Sequence, residues 1–184
     1  MQEKNFVIAG FGGQGVLLAG EVLANAFMLE DKNVTWYPCY GAEMRGGTVN
    51  CEIVMSDDEV SSVNKAEADF IIVLNQASFD KFESKVRKDG YLIVNTTLAE
   101  KAKNRHDIHY IFAPITKMAE DLGNGKMANM LALGLLSKAS GLLSVDILEK
   151  ALDNVLPTHR KNLLPMNKSA MEMGYKYDLL PINC

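Results

Sequence analysis

The tightest constraint on this chain is a change of period at residues 10–15. Before it, Phe6, Val7, Ile8 and Ala9 form an uninterrupted apolar run, the pattern of a buried strand. After it, Val16, Leu17, Ala19, Val22, Leu23, Ala26 and Phe27 recur at helical spacing up to Leu29. Between the two stands Gly10-Phe-Gly-Gly-Gln-Gly15. Strand, glycine turn and helix in this order give Gly10, Gly12 and Gly15 the G-x-G-x-x-G spacing in the setting that spacing requires. Glycines there permit a tight turn and let a phosphate come close to the backbone. The helix that follows offers unpaired N–H groups and the positive end of its dipole. The turn therefore fits a phosphate-bearing ligand, a close partner backbone, or simple close packing of helix on sheet.

A dinucleotide-binding fold carries an acid about 20 residues on, at the end of the second strand, for a ribose hydroxyl. Here the second strand is Val34, Thr35, Trp36 and Tyr37, and it runs into Pro38, Cys39, Tyr40 and Gly41 with no acid. Glu30 and Asp31 precede the strand. NAD and FAD are disfavoured on that ground.

Further strand-like runs stand at Val49–Met55, Phe70–Leu74, Tyr91–Val94 and Tyr110–Phe112, with helical patterns at Ser78–Val86 and Leu98–Lys103. Strands alternating with helices predict an α/β fold with an open, mostly parallel, Rossmann-like sheet and flanking helices. The run Thr48–Met55 alternates apolar Val49, Cys51, Ile53 and Met55 with polar partners, which predicts a half-exposed, antiparallel strand. After Pro114 the strands stop. Ile115–Leu122, Met127–Ser140, Val145–Val155 and His159–Gly174 read as helices and form a helical C-terminal third. Ser144 is placed to cap the third of these, and Gly141 to end the second. Residues 1–184 read as a single domain, with residues 175–184 as an extended tail.

A formal net charge of −4 over 184 residues argues against a general nucleic-acid binder. No run approaches the ~18 apolar residues of a membrane span, and no leader pattern opens the chain, so a cytoplasmic location is expected. Cys39, Cys51 and Cys184 contain no C-x-x-C pair. An iron–sulfur cluster or structural zinc held by this chain is not expected. Cys39, just after the second strand, is either a reactive thiol or a plain one. His106, His109 and His159 are scattered and read as surface or capping residues. No catalytic acid–base pair, nucleophile triad or metal set is legible.

A second motif, Tyr40-Gly-Ala-Glu-Met-Arg-Gly-Gly47, follows the second strand. In an open α/β sheet this places it at the carboxyl edge, where ligands bind and where the first turn also ends. Arg45 can clamp a carboxylate or phosphate, and Gly46-Gly47 lets backbone approach closely. The candidate binding residues are therefore Gly10, Gly12, Gly13, Gln14 and Gly15 of the first loop. Glu43, Arg45, Gly46 and Gly47 join them from the second.

Together the two loops, the strand Asn50-Cys-Glu-Ile-Val-Met-Ser-Asp57, Asn75-Gln76, Gly90–Asn95, Ala119–Gly123 and Asn129–Gly134 resemble the gamma subunit of 2-oxoacid:ferredoxin oxidoreductases. The resemblance runs to about Gly174 and fits the 2-oxoglutarate type best. Pyruvate and ketoisovalerate types share the motifs, and indolepyruvate oxidoreductase beta subunits are related.

The resemblance implies a non-catalytic subunit of a complex that converts a 2-oxoacid and coenzyme A to acyl-coenzyme A and CO2 while reducing ferredoxin. It implies thiamine diphosphate, magnesium and iron–sulfur clusters in partner alpha, beta and delta-type subunits, and none of these on this chain alone. It also implies a place beside coenzyme A, and self-association when the partners are missing. A free-standing Rossmann-like nucleotide binder and a purely structural assembly subunit are the competing readings.

Overall fold

The computed structural model describes residues 3–40, 48–60, 65–100 and 104–179. Six strands form one sheet in the order β2-β3-β1-β4-β5-β6: β1 Glu3–Phe11, β2 Asn33–Tyr40, β3 Thr48–Ser56, β4 Ala68–Val73, β5 Val86–Asn95 and β6 His109–Ala113. β1, β4, β5 and β6 are mutually parallel. β3 lies between β1 and β2 and is antiparallel to both, as its alternating pattern predicts, but it is not half-exposed, since Asn50, Val54 and Ser56 on its other face are buried too. Reversing twice makes β2 run with β1, so Tyr40 and Gly10 end at the same edge, each paired with Val49.

The period-2 alternation of β1 sends its side chains into two separate cores. Phe6 and Ile8 face a large one, closed by α1 Val16–Leu29, α3 Ile115–Asp121, α4 Ala128–Ser140, α5 Val145–Val155 and α6 Leu164–Lys176. Val7 and Ala9 face a smaller one, closed by α2 Gln76–Phe82 through Phe79 and Phe82. On the large-core face an aromatic row crosses four strands. Phe6, Phe70, Tyr91 and His109 are register neighbours, with ring centroids 5.3, 5.3 and 4.8 Å apart. Offset rings of this kind contribute about 0.5–1.5 kcal/mol per pair beyond their buried area.

Both sheet edges are guarded against pairing with another chain. Pro38 lies in edge strand β2 and lacks an N–H to offer. At the other edge, Tyr177 Oη donates to the Phe112 carbonyl of β6 at 3.2 Å.

Several boundaries differ from the sequence expectation, for local reasons. The helix expected at Leu98–Lys103 is a turn over residues 96–99. There the N–H groups of Leu98 and Ala99 both return to the Asn95 carbonyl. Residues 101–103 lie outside the described part. The helix expected from His159 starts only at Leu164, because Pro165 belongs in a first turn. Thr158–Leu163 ahead of it is a 3-10 helix. The helix expected at Ser78–Val86 ends at Phe82, and Val86 already starts β5, which kinks at Asp89 with φ 61°. The tail expected over residues 175–184 lies partly outside the described residues, and its first two residues belong to α6. α6 continues to Lys176, and the Tyr177 carbonyl then accepts from Lys138 Nζ at 2.7 Å. Met127, Met130 and Met171 fill the core.

Candidate functional site: the carboxyl edge of the sheet

β1 delivers the glycine turn to the carboxyl edge, where Gly10 is buried and Phe11, Gly12 and Gly13 are exposed. Gln14 shapes the turn from inside. Its Oε1 accepts from the Phe11 N–H at 2.9 Å and from Asn75 Nδ2 at 3.2 Å, while its Nε2 donates to the Leu74 carbonyl at 3.2 Å. The side chain therefore ties the end of β1 to the end of β4. Gly15 follows in the left-handed region at φ 71° and opens α1. Its carbonyl accepts from Ala19 N–H and from Asn129 Nδ2, both at 3.0 Å.

The glycines of the turn have separable reasons. A Cβ on Gly10 would lie 2.5 Å from Gln14 Oε1 and 3.0 Å from Val16. One on Gly15 would lie 2.4 Å from Asn129 Nδ2. Gly13 has a φ of 103° that disfavours any side chain. Gly12 has neither reason among the described residues: its φ is not in the left-handed region and none of their atoms lies within 4 Å of a Cβ there.

Four helices begin at this edge, and three have their first N–H groups tied down. In α2, Asn75 Oδ1 accepts from Ser78 N–H at 2.9 Å. In α3, Asn95 Oδ1 accepts from Thr116 N–H and Thr97 Oγ1 from Lys117 N–H, both at 3.1 Å. α4 is entered through a 3-10 turn capped by Asn124, and Asn129 Oδ1 takes the Met130 N–H. α1, 14 residues long, has no acid in its first turn, and among the described residues no side chain caps it. Its first N–H groups and dipole make a positive end beside exposed glycines. Residues 10–20 carry no titratable side chain. The edge can hold an anion by fixed dipoles, and those residues supply no proton-transfer group.

The second loop is bracketed but lies outside the described residues. β2 ends at Tyr40 and β3 begins at Thr48, the latter paired with Phe11. The two strand ends that flank residues 41–47 thus stand about 5–10 Å from the end of β1, one and two strand spacings away. Glu43, Arg45, Gly46 and Gly47 fall in that stretch.

The two described thiols are not poised nucleophiles. Burial pushes Cys51 up to about 12, and its Sγ sits 3.6 Å from the Val16 carbonyl. Cys39 is also raised, first by burial and then by the nearby Glu52 charge. Among the described residues, no three His, Cys, Asp or Glu gather to hold a metal ion. Among them too, no helix is long and apolar enough to cross a membrane.

The model of the pyruvate ferredoxin/flavodoxin oxidoreductase family matches residues 5–177. The chain belongs to that family. Within it, the chain is 32% identical over 170 residues to the 2-oxoglutarate synthase subunit KorC of Methanocaldococcus jannaschii, covering 90% of this chain and 91% of KorC. It is 38% identical over 145 residues to the ketoisovalerate oxidoreductase subunit VorA of Methanothermobacter marburgensis, covering 79% of this chain and 30% of VorA. The chain thus spans about a third of the VorA relatives and nearly the whole of KorC.

Among solved structures, the keto/oxoacid ferredoxin oxidoreductase gamma subunit of Geobacter sulfurreducens superposes with a TM-score of 0.84 at 28% identity, over 96% of both chains. The family resemblance drawn from the motifs, and the open α/β sheet expected with it, are therefore borne out. The Magnetococcus marinus 2-oxoglutarate:ferredoxin oxidoreductase, solved with 2-oxoglutarate, coenzyme A and succinyl-CoA, superposes with a TM-score of 0.85 over 95% of this chain and 31% of that one. At 19% identity it shares the fold.

Sequence reading gave Asn75, Asn95 and Asn129 no role at the edge. The first two had a local signal, an Asn between a strand and a helix or turn. Asn129 had none, because its partner lies 114 residues away.

Proposed function

We propose that this chain is the gamma subunit of a 2-oxoacid:ferredoxin oxidoreductase, and that its carboxyl edge faces coenzyme A. The observation that carries the second part is Gly12, exposed and required by nothing within the described residues, beside the open N-terminus of α1. A phosphate group drawn to that N-terminus needs a bare backbone to approach. Coenzyme A brings a diphosphate and a ribose phosphate. Arg45, on the neighbouring loop, is the proposed second contact, and Glu43, Gly46 and Gly47 frame it.

In this reading the chain binds and orients. Thiamine diphosphate, magnesium and the iron–sulfur clusters belong to the partner alpha, beta and delta-type subunits. The complex oxidises the 2-oxoacid, forms acyl-coenzyme A and CO2, and passes two electrons to ferredoxin. The proposed 2-oxoacid is 2-oxoglutarate, since KorC matches along nearly its whole length. Phe11 and Leu98, 39% and 41% exposed at the same edge, give a partner subunit apolar surface to cover.

Reconstitution tests this. The isolated chain, given 2-oxoglutarate, thiamine diphosphate, coenzyme A and a viologen, should reduce nothing. Adding it to the partner subunits should restore coenzyme A-dependent reduction, fastest with 2-oxoglutarate among 2-oxoglutarate, pyruvate and 3-methyl-2-oxobutanoate. Turnover by the chain alone, or full activity of the partners without it, contradicts the reading.

A further inference from the structure

The N-terminus of α1 points where it does because something holds Gly15, and that something is not local. Asn129 sits in the first turn of α4 and is 3% exposed. Its Nδ2 donates to the Gly15 carbonyl at 3.0 Å, and its Oδ1 accepts from the Met130 N–H at 2.9 Å. Both ends of the carboxamide are engaged, so it cannot rotate without losing a buried hydrogen bond. The contact is also steric, since a Cβ on Gly15 would lie 2.4 Å from the same nitrogen. Gly15 is the cap residue of α1, and its peptide plane sets the direction of the Val16 N–H at the start of the helix.

Gln14 holds the start of the same turn, tying it to Phe11, Leu74 and Asn75. The turn is held between two carboxamides, one from inside the loop and one from a distant helix. Neither side chain needs to touch a ligand to decide where the loop's N–H groups aim.

We propose that Asn129 is a positioning residue for the anion-binding turn, acting through the Gly15 carbonyl. This rests on the reading that the turn faces coenzyme A. Asn129→Asp keeps the size and turns the donor into an acceptor. An ionised carboxylate then faces the Gly15 carbonyl and tilts that peptide away. Lowering the pH protonates the carboxyl, which can donate again.

The test uses the reconstituted complex carrying Asn129→Asp, Asn129→Ser or Gly12→Asp. The last places a negative charge in the turn itself, at a position where a Cβ meets no atom of the described residues within 4 Å. Assembly is checked by size-exclusion chromatography before kinetics. For Asn129→Asp the apparent KM for coenzyme A should rise roughly tenfold, as for loss of one oriented contact, with kcat and the 2-oxoacid KM unchanged. The rise should shrink as pH falls. Asn129→Ser, which keeps a donor of shorter reach, should show a smaller rise.

If Gly12→Asp raises the coenzyme A KM and both Asn129 variants leave it unchanged, the positioning role is overturned and the site reading stands. If Gly12→Asp leaves it unchanged as well, the site reading falls and this inference with it. A drop in kcat with no change in the coenzyme A KM, or failure of both Asn129 variants to assemble, assigns Asn129 a structural role and overturns the proposal.

Discussion

Gly134 lies against the backbone of α6 at Met171, and Gly174 lies against the backbone of α4 at Leu131. A Cβ on either would stand 2.0 Å from the facing carbonyl oxygen. The helices cross with main chains in contact, and no flexible side chain is available to yield. Gly134→Ala or Gly174→Ala should therefore push the helices apart and destabilise the fold by about 3 kcal/mol, at the upper end for overpacking. That corresponds to roughly 6–12 °C in Tm for a chain of this size. Calorimetry on both variants checks it, and a Tm within a degree or so of the parent would show that the crossing is looser than described.

The thiols give a second prediction. Cys51 is buried, with its pKa pushed up to about 12, and Cys39 is raised above the usual thiol value. At pH 8 iodoacetamide should label Cys39 more slowly than a free thiol and leave Cys51 unlabelled until the chain unfolds. Peptide mapping by mass spectrometry reads both sites. Fast labelling of Cys39 at neutral pH would restore the reactive-thiol alternative.

Tyr110 offers a pH-linked check. Its pKa is pushed up to about 12, first by burial and then by the hydrogen bond it donates to Glu83. A raised pKa means that the folded state favours the neutral phenol. The stabilisation is fully present below the ordinary tyrosine value and is lost as pH climbs through the folded one. Glu83→Gln should lower the Tyr110 pKa in a spectrophotometric titration and leave the burial part of the shift. An unchanged titration curve would mean that Glu83 contributes nothing to it.

Asn95 joins four polar groups at the edge. Its Nδ2 donates to Leu74 O and Thr116 Oγ1, and its Oδ1 accepts from Thr116 N and Thr97 N. It is fully buried. Asn95→Leu strands those partners, and each unsatisfied buried group costs about 1–3 kcal/mol. A loss of several kcal/mol in denaturant midpoint analysis is expected. A loss below about 1 kcal/mol would imply that water replaces the amide.

What was legible from the chain follows the physics of range. The turn at Gly10–Gly15, the antiparallel β3 and the caps at Ser144 and Gly141 all rest on neighbours a few residues apart, so pattern alone reached them. The common edge of Tyr40 and Gly10 followed from the placement of loops at the carboxyl ends of an open α/β sheet, whereas the strand order, with β3 between β1 and β2, was not read because it rests on long-range pairing. The carboxamides at Asn75, Asn95 and Asn129 were missed, since a buried Asn in sequence does not say which distant carbonyl it holds. Over residues 96–99 the helix expected at Leu98 gives way to a turn, because the Leu98 carbonyl accepts from the Gln76 N–H and the Glu100 N–H donates to Gln76 Oε1, tertiary bonds that override its propensity.

The central claim is that the exposed glycine turn receives the phosphates of coenzyme A. A charge-reversal pair at Gly12 tests it most directly, because a Cβ there meets no atom of the described residues within 4 Å and its φ is not in the left-handed region. The apparent KM for coenzyme A is measured on reconstituted complexes carrying Gly12→Asp and Gly12→Lys. The account predicts about a tenfold rise for the acid, a much smaller rise or a fall for the base, and an unchanged 2-oxoacid KM for both. Equal effects from the two charges, or none from either, would contradict it.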